Sequence, residues 1–266
     1  MVGNTPTDWP YPSLLSSLKK PSWRIPSNII CGATYLLSKT FLKLAVNIQQ
    51  KNTDRITHAI YDRPKGTPLI TVSNHSSCID DPLLWGMVPI RRNFINHVRW
   101  IPGAKEILYK NFLLSYFFSR SQTIPVVRGD GVYQKAVDYC ITHLNEGGWV
   151  HFFPEGKVNL TDTTMRLKWG VGRLIADMRR NPIVLPFWHS GMESILPDKT
   201  YVPRLFKKIT VFVGDPIDFS QLLETHRKQK SNAVVVRKQI TDIIQDRFAE
   251  LKQTTEELHA KWIART

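Results

Sequence analysis

The chain has 266 residues, with 36 lysines and arginines against 22 acids and a formal net charge of +14. Hydrophobic residues at 42% and charged residues at 22% are ordinary for a globular protein, which excludes disorder over most of the length and leaves room for one large domain with a buried core. Cys31, Cys78 and Cys140 show neither paired nor CxxC spacing, which argues against a disulfide framework and a zinc site. The basic balance favours a polyanionic partner. No Cys/His finger, RNP-like aromatic strand or basic helix is present, and the bases are spread along the chain. Nucleic acid is therefore set aside in favour of an anionic membrane surface.

Residues 1–26 carry Pro6, Pro10, Pro12, Pro21 and Pro26, an extended or irregular stretch until Pro26, which suits the first position of a helix. Beyond it Ile29, Ala33, Leu36, Leu37, Phe41, Leu44 and Ile48 recur at helical spacing, with Asn28, Tyr35, Lys39, Lys43 and Asn47 opposite. This is an amphipathic helix. Its longest charge-free stretch, Ile25–Ser38, falls short of the roughly 20 apolar residues that span a bilayer. Such a helix is expected to lie in the membrane interface, or else to pack on its own domain. Residues 1–50 hold one acid, Asp8, but a single arginine and no small-residue cleavage site, so the segment is expected in the mature protein. The expected organisation is a membrane-attachment segment over 1–50 and a catalytic domain over 51–266.

Leu69–Ser73 reads as a buried strand, and Asp81-Pro82 as the N-cap and first residue of a helix. Asn93–Trp100 is expected as a strand, Pro102–Phe118 as an aromatic helix and Gln122–Val127 as a strand. Gly131–Asn145 has a helical face of Val132, Ala136, Cys140 and Leu144, stopped by Gly147-Gly148. "WVHFF" at 149–153 is a strand, and Leu167, Val171, Leu174, Ile175 and Met178 mark a helix that ends before Asn181-Pro182. "IVLPFWH" and "KITVFVG" are two more strands, and a long polar helix closes the chain from Ser231 to about Ala264. The alternation predicts an α/β fold: a mixed, largely parallel sheet flanked by helices.

In such folds functional groups collect where strands end. "TVSNHSSCIDDP" at 71–82 puts His75 just past a strand and Asp80 far enough on to fold back and hold one ring nitrogen. That pair suits general-base chemistry, or a polar turn. "FFPEGK" places Glu155 directly after a strand, with Gly156 allowing a close backbone approach to a ligand. "PVVRGD" places Arg128 at another strand exit, where a guanidinium suits phosphate. A turn or cap for Glu155 and a plain surface charge for Arg128 are the alternatives.

Taken together, "NHSSCIDD", "PVVRG", "FPEGK" and "PIVLPFWHSGM", in that order, resemble the four sequence blocks of the glycerolipid acyltransferase superfamily. Longer stretches such as "GDGVYQKAVDYCITHLNEGGWVHFFPEGKVN" and "RLKWGVGRLIAD" look like its branch of phospholipid–lysophospholipid transacylases that remodel cardiolipin. The likeness covers nearly the whole chain. It implies that His75 is the catalytic base and Asp80 its partner, that Glu155 and Gly156 belong to the third block, and that Arg128 is the arginine of the second. Lys157 and Val158 depart from the Thr-Arg that many glycerol-phosphate acyltransferases carry there, which points away from a simple glycerol-3-phosphate acceptor.

In the implied chemistry His75, aimed by Asp80, deprotonates a lysophospholipid hydroxyl that attacks an acyl ester. Arg128 and Lys157 would grip phosphate, and Glu155 would orient the hydroxyl. Backbone N–H groups of the 75–82 turn or Gly156 would hold the oxyanion, and 107–118 would line an acyl track or be ordinary core. The donor is then another phospholipid, with no acyl-CoA, metal or other cofactor required. The compartment implied is a cardiolipin-rich mitochondrial membrane facing the intermembrane space, and a homo-oligomer is compatible with a basic surface resting on it. Rival readings are an acyl-CoA-dependent lysophospholipid acyltransferase, a hydrolase with Ser73, Ser76 or Ser77 as nucleophile, and a non-enzymatic adaptor for anionic lipid. The hydrolase lacks a GxSxG elbow.

Overall fold

The structure, a computed structural model, describes residues 9–12, 15–91, 94–161 and 163–265. The elements in order are α1 (Pro21–Ala45), β1 (Val46–Lys51), α2 (Asp54–Tyr61), β2 (Leu69–Ser73), α3 (Asp80–Gly86), β3 (Ile101–Ala104), α4 (Lys105–Leu108), α5 (Phe112–Arg120), β4 (Thr123–Val126), α6 (Lys135–Asn145), β5 (Trp149–Phe152), α7 (Gly170–Ala176), β6 (Ile183–Ser190), α8 (Met192–Ile195), β7 (Lys207–Val213), α9 (Ser220–Gln229) and α10 (Ala233–Ile263). Short 3-10 turns cover Leu15–Lys19 and Phe94–His97.

The central sheet runs β1-β7-β6-β2-β5. β6, β2 and β5 are parallel, β7 is antiparallel to β6, and β1 runs parallel to β7. β3 and β4 form a parallel pair beyond β5, joined to it by a bridge between Trp100 and Val150. The fold is thus mixed and largely parallel, as expected. Strands buried on both faces need near-continuous apolar sequence, and LITVS and IVLPFWHS supply it. Pro186 lies inside β6 without breaking it. Its carbonyl accepts from Gly214, and the β7 ladder begins only at Phe187, so the missing N–H falls where β7 has ended.

Helices cover both faces. On one, Leu42 of α1, Ile56 and Ile60 of α2 and Leu84 of α3 pack on Leu69, Leu185 and Phe187. On the other, α6, α7 and α10 place Cys140, Leu144, Leu174, Ile240 and Phe248 against Ile70, Val72 and Val184.

Several expectations are corrected at this level. α1 starts at Pro21, with Pro26 inside it. Pro21 takes the first-turn role expected of Pro26, and Pro26, inside the helix, costs one intrahelical bond. Ile48 belongs to β1, so the boundary drawn at residue 50 falls within a strand of the sheet. Tyr11, in the stretch expected as irregular, is buried and donates to the carbonyls of Ser119 (3.2 Å) and Thr123 (2.6 Å). Residues 1–8 of that stretch, and Asn93 of the expected strand, lie outside the described residues. Phe94–His97 is a 3-10 turn, Val98 and Arg99 are irregular, and strand geometry starts at Trp100. The expected helix over 102–118 opens as β3 and then divides into α4 and α5, where Asn111 caps α5 by accepting from Leu114 N–H (2.9 Å).

The two faces of α1 divide between the domain and the outside. Ser27, Cys31, Tyr35, Ser38 and Leu42 are buried there, against α3 and α5. Ile29, Leu36, Leu37 and Leu44 of the apolar stripe point outward, each more than half exposed.

Candidate active site

Ser73 ends β2, and the chain turns through Asn74–Ile79 into α3. In that turn His75 Nδ1 lies 2.9 Å from Asp80 Oδ2. The same oxygen accepts the backbone N–H groups of Ser76 (2.7 Å) and Ser77 (2.9 Å). An oxygen taking two backbone donors is an acceptor, so the proton of the third bond sits on Nδ1, and Nε2 carries the lone pair. Asp80 is fully buried, whereas the His75 side chain keeps 18% of its surface exposed. The imidazole stacks on Phe153, centroids 4.0 Å apart and planes 9° off parallel. It is held by a carboxylate on one edge and a ring on one face, which leaves Nε2 for a substrate.

The loop after β5 holds the backbone of His75 from the other side. Asn159 N–H donates to His75 carbonyl (2.7 Å), and the Glu155 carboxylate takes the His75 N–H. Glu155 is 2% exposed, and its Oε2 has no hydrogen-bond partner among the described residues. Burial pushes its carboxyl up to about 7, against the opposing pull of the His75 N–H and imidazole. Gly156 takes φ +75, in the left-handed region, and the stem of Lys168 lies across the space its Cβ would fill. Lys157 is exposed beside it. The structure therefore brings His75, Asp80, Glu155, Gly156 and Lys157 to one place.

Arg128 stands apart from them. It follows β4, three strand positions from β2, or about 14 Å at normal strand spacing. It is exposed and pairs with Glu106 at 3.2 Å. Three further expectations are corrected. The N–H groups of Ser76 and Ser77 are spent on Asp80, and that of Gly156 on Phe153 carbonyl (3.1 Å), so none of the three is available to an oxyanion. Asp81 is not a helix cap. It forms an ion pair with Arg99, accepts from Trp85 Nε1 (2.8 Å), and is held below the usual carboxylate range by Arg99 despite its burial. The 107–118 stretch is surface at Ile107, Phe112, Leu113, Tyr116 and Phe117. A small apolar cleft lies between α1 and α3, with Cys31, Tyr35, Pro82, Trp85, Val88 and Phe94 among its lining.

Sequence reasoning missed the groups that fix this turn from β6. Asn74 and His189 exchange Nδ2–H to carbonyl (2.9 Å) and N–H to Oδ1 (2.9 Å), and His189 Nε2 lies 3.0 Å from Asn74 carbonyl and 3.7 Å from Asp80 Oδ2. The only available sign was a histidine at the end of an apolar strand. Behind them His151, fully buried against Thr71 (3.0 Å) and Ser73 (3.4 Å), is driven down to about 3 by burial and stays neutral.

Residues 49–190 match the family model described as Acyltransferase. The chain belongs to the acyltransferase family. It is 42% identical to Tafazzin of Drosophila melanogaster over 95% of this chain and 67% of that protein. It is 38% identical to N-acylphosphatidylethanolamine synthase of Arabidopsis thaliana, over 73% of this chain and 72% of that protein. The solved structure of the 1-acyl-sn-glycerophosphate (LPA) acyltransferase PlsC from Thermotoga maritima shares the fold, with a TM-score of 0.54 and 18% identity over 90% of this chain and 84% of that one. As a member of the family the chain is an acyl-transferring enzyme, and the reading as a non-enzymatic adaptor falls.

Proposed function

We propose that this enzyme is a phospholipid–lysophospholipid transacylase that works without acyl-CoA and remodels cardiolipin. The observation that carries the reading is the His75–Asp80 pair, at 2.9 Å with the carboxylate fully buried and the ring at the mouth of the fold. His75 Nε2 takes the proton of a lysolipid hydroxyl as its oxygen attacks the donor ester carbonyl. The tetrahedral adduct collapses, the donor's C–O bond breaks, and the departing lysolipid oxygen takes the proton back from His75. Asp80 stabilises the imidazolium between the two transfers. Glu155 and Lys157 orient the acceptor and its phosphate, Arg128 meets charge at the rim, and the acyl chain lies in the cleft behind α3.

The serines support transfer over hydrolysis. Ser73 Oγ bonds Asn74 carbonyl (3.1 Å), Ser76 Oγ donates to Glu193 (3.1 Å), and Ser77 Oγ donates to Leu196 carbonyl (3.3 Å), so each hydroxyl is occupied away from His75. Likeness to tafazzins supports cardiolipin as product and mitochondrial membranes facing the intermembrane space as the location. Among the described residues no helix is long and apolar enough to cross a membrane. The outward stripe of α1 and the +14 charge suit residence on an anionic surface. The plant relative favours a second acceptor, the amine of phosphatidylethanolamine.

The test is transfer of a labelled acyl chain from phosphatidylcholine by purified protein, offered monolysocardiolipin or phosphatidylethanolamine, with and without acyl-CoA. His75→Ala and Asp80→Asn are each expected to lose about 10²–10⁴-fold in rate. Wild-type rates in either variant overturn the dyad. Label on the amine alone selects the second acceptor, and strict dependence on acyl-CoA overturns the transacylase.

A further inference from the structure

The segment between α8 and β7 carries Tyr201, Val202, Leu205 and Phe206, which are 95%, 77%, 53% and 67% exposed. Four large apolar side chains within six residues lie uncovered at the surface, and exposed clusters of this kind mark docking sites. The backbone beneath them is fixed. Thr200 N–H and Oγ donate to Pro197 carbonyl at 3.2 and 2.7 Å, Arg204 N–H donates to Ile195 carbonyl at 2.7 Å, and Phe206 N–H donates to Ala45 carbonyl at 2.6 Å. Asn47 Nδ2 holds Phe206 carbonyl at 3.0 Å. Phe206 itself sits at φ +57, a left-handed conformation that is unfavourable for a non-glycine residue. The fold keeps that conformation, and the ring faces outward.

We propose that residues 199–206 form a wedge that inserts into the interface of an anionic lipid bilayer, as a contact separate from α1. This rests on the reading above that the substrates are membrane lipids. Two observations select a bilayer over a protein partner. The segment 198–207 holds Lys199, Arg204 and Lys207 against one acid, Asp198, a basic balance that anionic headgroups attract. An aromatic–aliphatic tip with a basic collar is the composition of an interfacial anchor. The wedge is also rooted at the site: Ser77 Oγ donates to Leu196 carbonyl (3.3 Å) and Ser76 Oγ to Glu193 (3.1 Å), two bonds into the turn that carries His75. Insertion there brings bilayer lipid to the mouth of the dyad. The exposed Leu44, one residue before the Ala45 that holds Phe206, extends the apolar surface toward α1.

The test uses the full chain with phosphatidylcholine–cardiolipin vesicles and measures binding by flotation without turnover, so its outcome is independent of the dyad assignment. The substitutions are Tyr201→Ser with Leu205→Ser, at exposed positions where the fold has little to lose. The expected result is a loss of about tenfold or more in vesicle partitioning. Transfer between lipids presented in detergent micelles is expected to be unchanged. A second variant, Lys199→Glu with Lys207→Glu, is expected to weaken binding to cardiolipin vesicles and to leave binding to pure phosphatidylcholine vesicles unaffected. Wild-type partitioning of the double serine variant overturns the proposal. So does a fall in oligomeric mass with vesicle binding retained, which assigns the patch to a second copy, and so does loss of the micelle reaction, which assigns it to the catalytic site.

Discussion

At the scale of single residues, the site depends on placing a carboxylate where water cannot compete. Asp80 is fully buried, and its Oδ2 is met by His75 Nδ1 and two backbone N–H groups, while its Oδ1 has no hydrogen-bond partner among the described residues. Glu155 is the contrasting case. Its folded value of about 7 stands above the ordinary 4.5 because burial disfavours the ion. The carboxyl therefore contributes stability that is present below about pH 4.5 and lost as pH rises through about 7. Glu155→Gln removes that dependence. Between pH 5 and pH 8 the variant is expected to gain about 2–3 kcal/mol on the wild type, read from urea midpoints. Equal midpoint differences at the two pH values would remove the raised carboxyl. The histidine, the aspartate and the glutamate were legible because each follows an apolar strand closely. Arg128 carried the same mark, and it stands at the far side of the sheet.

At the scale of elements, α1 and α3 determine where the dyad sits. α3 carries Asp80 at its start, and its last residue, Gly86, lies against the α1 backbone. A Cβ there would meet Ser38 C at 2.8 Å and Lys39 N at 2.9 Å. Neither backbone atom can give way as a side chain does, so Gly86→Ala must move one helix. The expected cost is about 1–3 kcal/mol in chemical unfolding, with a fall in transfer rate as Asp80 shifts. Unaltered stability and rate in that variant would show that the two helices are free to slide. The helical period of α1 was readable, and its inward face was not. Hydrophobicity alone leaves the Ile29–Leu37 stripe free to face either a membrane or the domain. The interior instead takes Ser27, Cys31 and Ser38, whose small side chains allow close packing, and Tyr35, whose hydroxyl donates to Val88 carbonyl just past α3, as that of Ser27 does to Arg120 carbonyl in α5. In the same way β1 and α2 were hidden, because six residues of mixed polarity at a sheet edge and eight residues with half their surface wet give weak periodic signals.

At the scale of the whole molecule, the partly buried His143 and the fully buried His151 set the response to acid. His143 and His151 are held down to about 4 and about 3 by burial, so both stay neutral in the fold while the unfolded chain takes their protons below about pH 6.5. Their contribution is present above that pH and fades as pH falls. Over roughly pH 4.5–6.5 the unfolded state gains two protons there and the folded state keeps one on Glu155. These three groups then give a net loss of about 1.4 kcal/mol per pH unit on acidification. In Glu155→Gln the net is two protons and the loss about 2.7 kcal/mol per unit. Urea titrations at several pH values measure both slopes, and a flat profile in the wild type would place the two imidazoles in water.

The sequence by itself determined the α/β class, the long final helix, the His75–Asp80 block at the exit of β2 and the family resemblance, because each is written in local pattern: apolar runs, turn residues and short motifs at strand ends. Only the tertiary structure decided which side of α1 faces out, that Asp81 pairs with Arg99, that the turn's N–H groups serve Asp80, and that Asn74 and His189 hold β2 to β6. Those are contacts between residues up to 115 positions apart. No local pattern encodes them, because which partners meet depends on the order in which the strands are laid into the sheet.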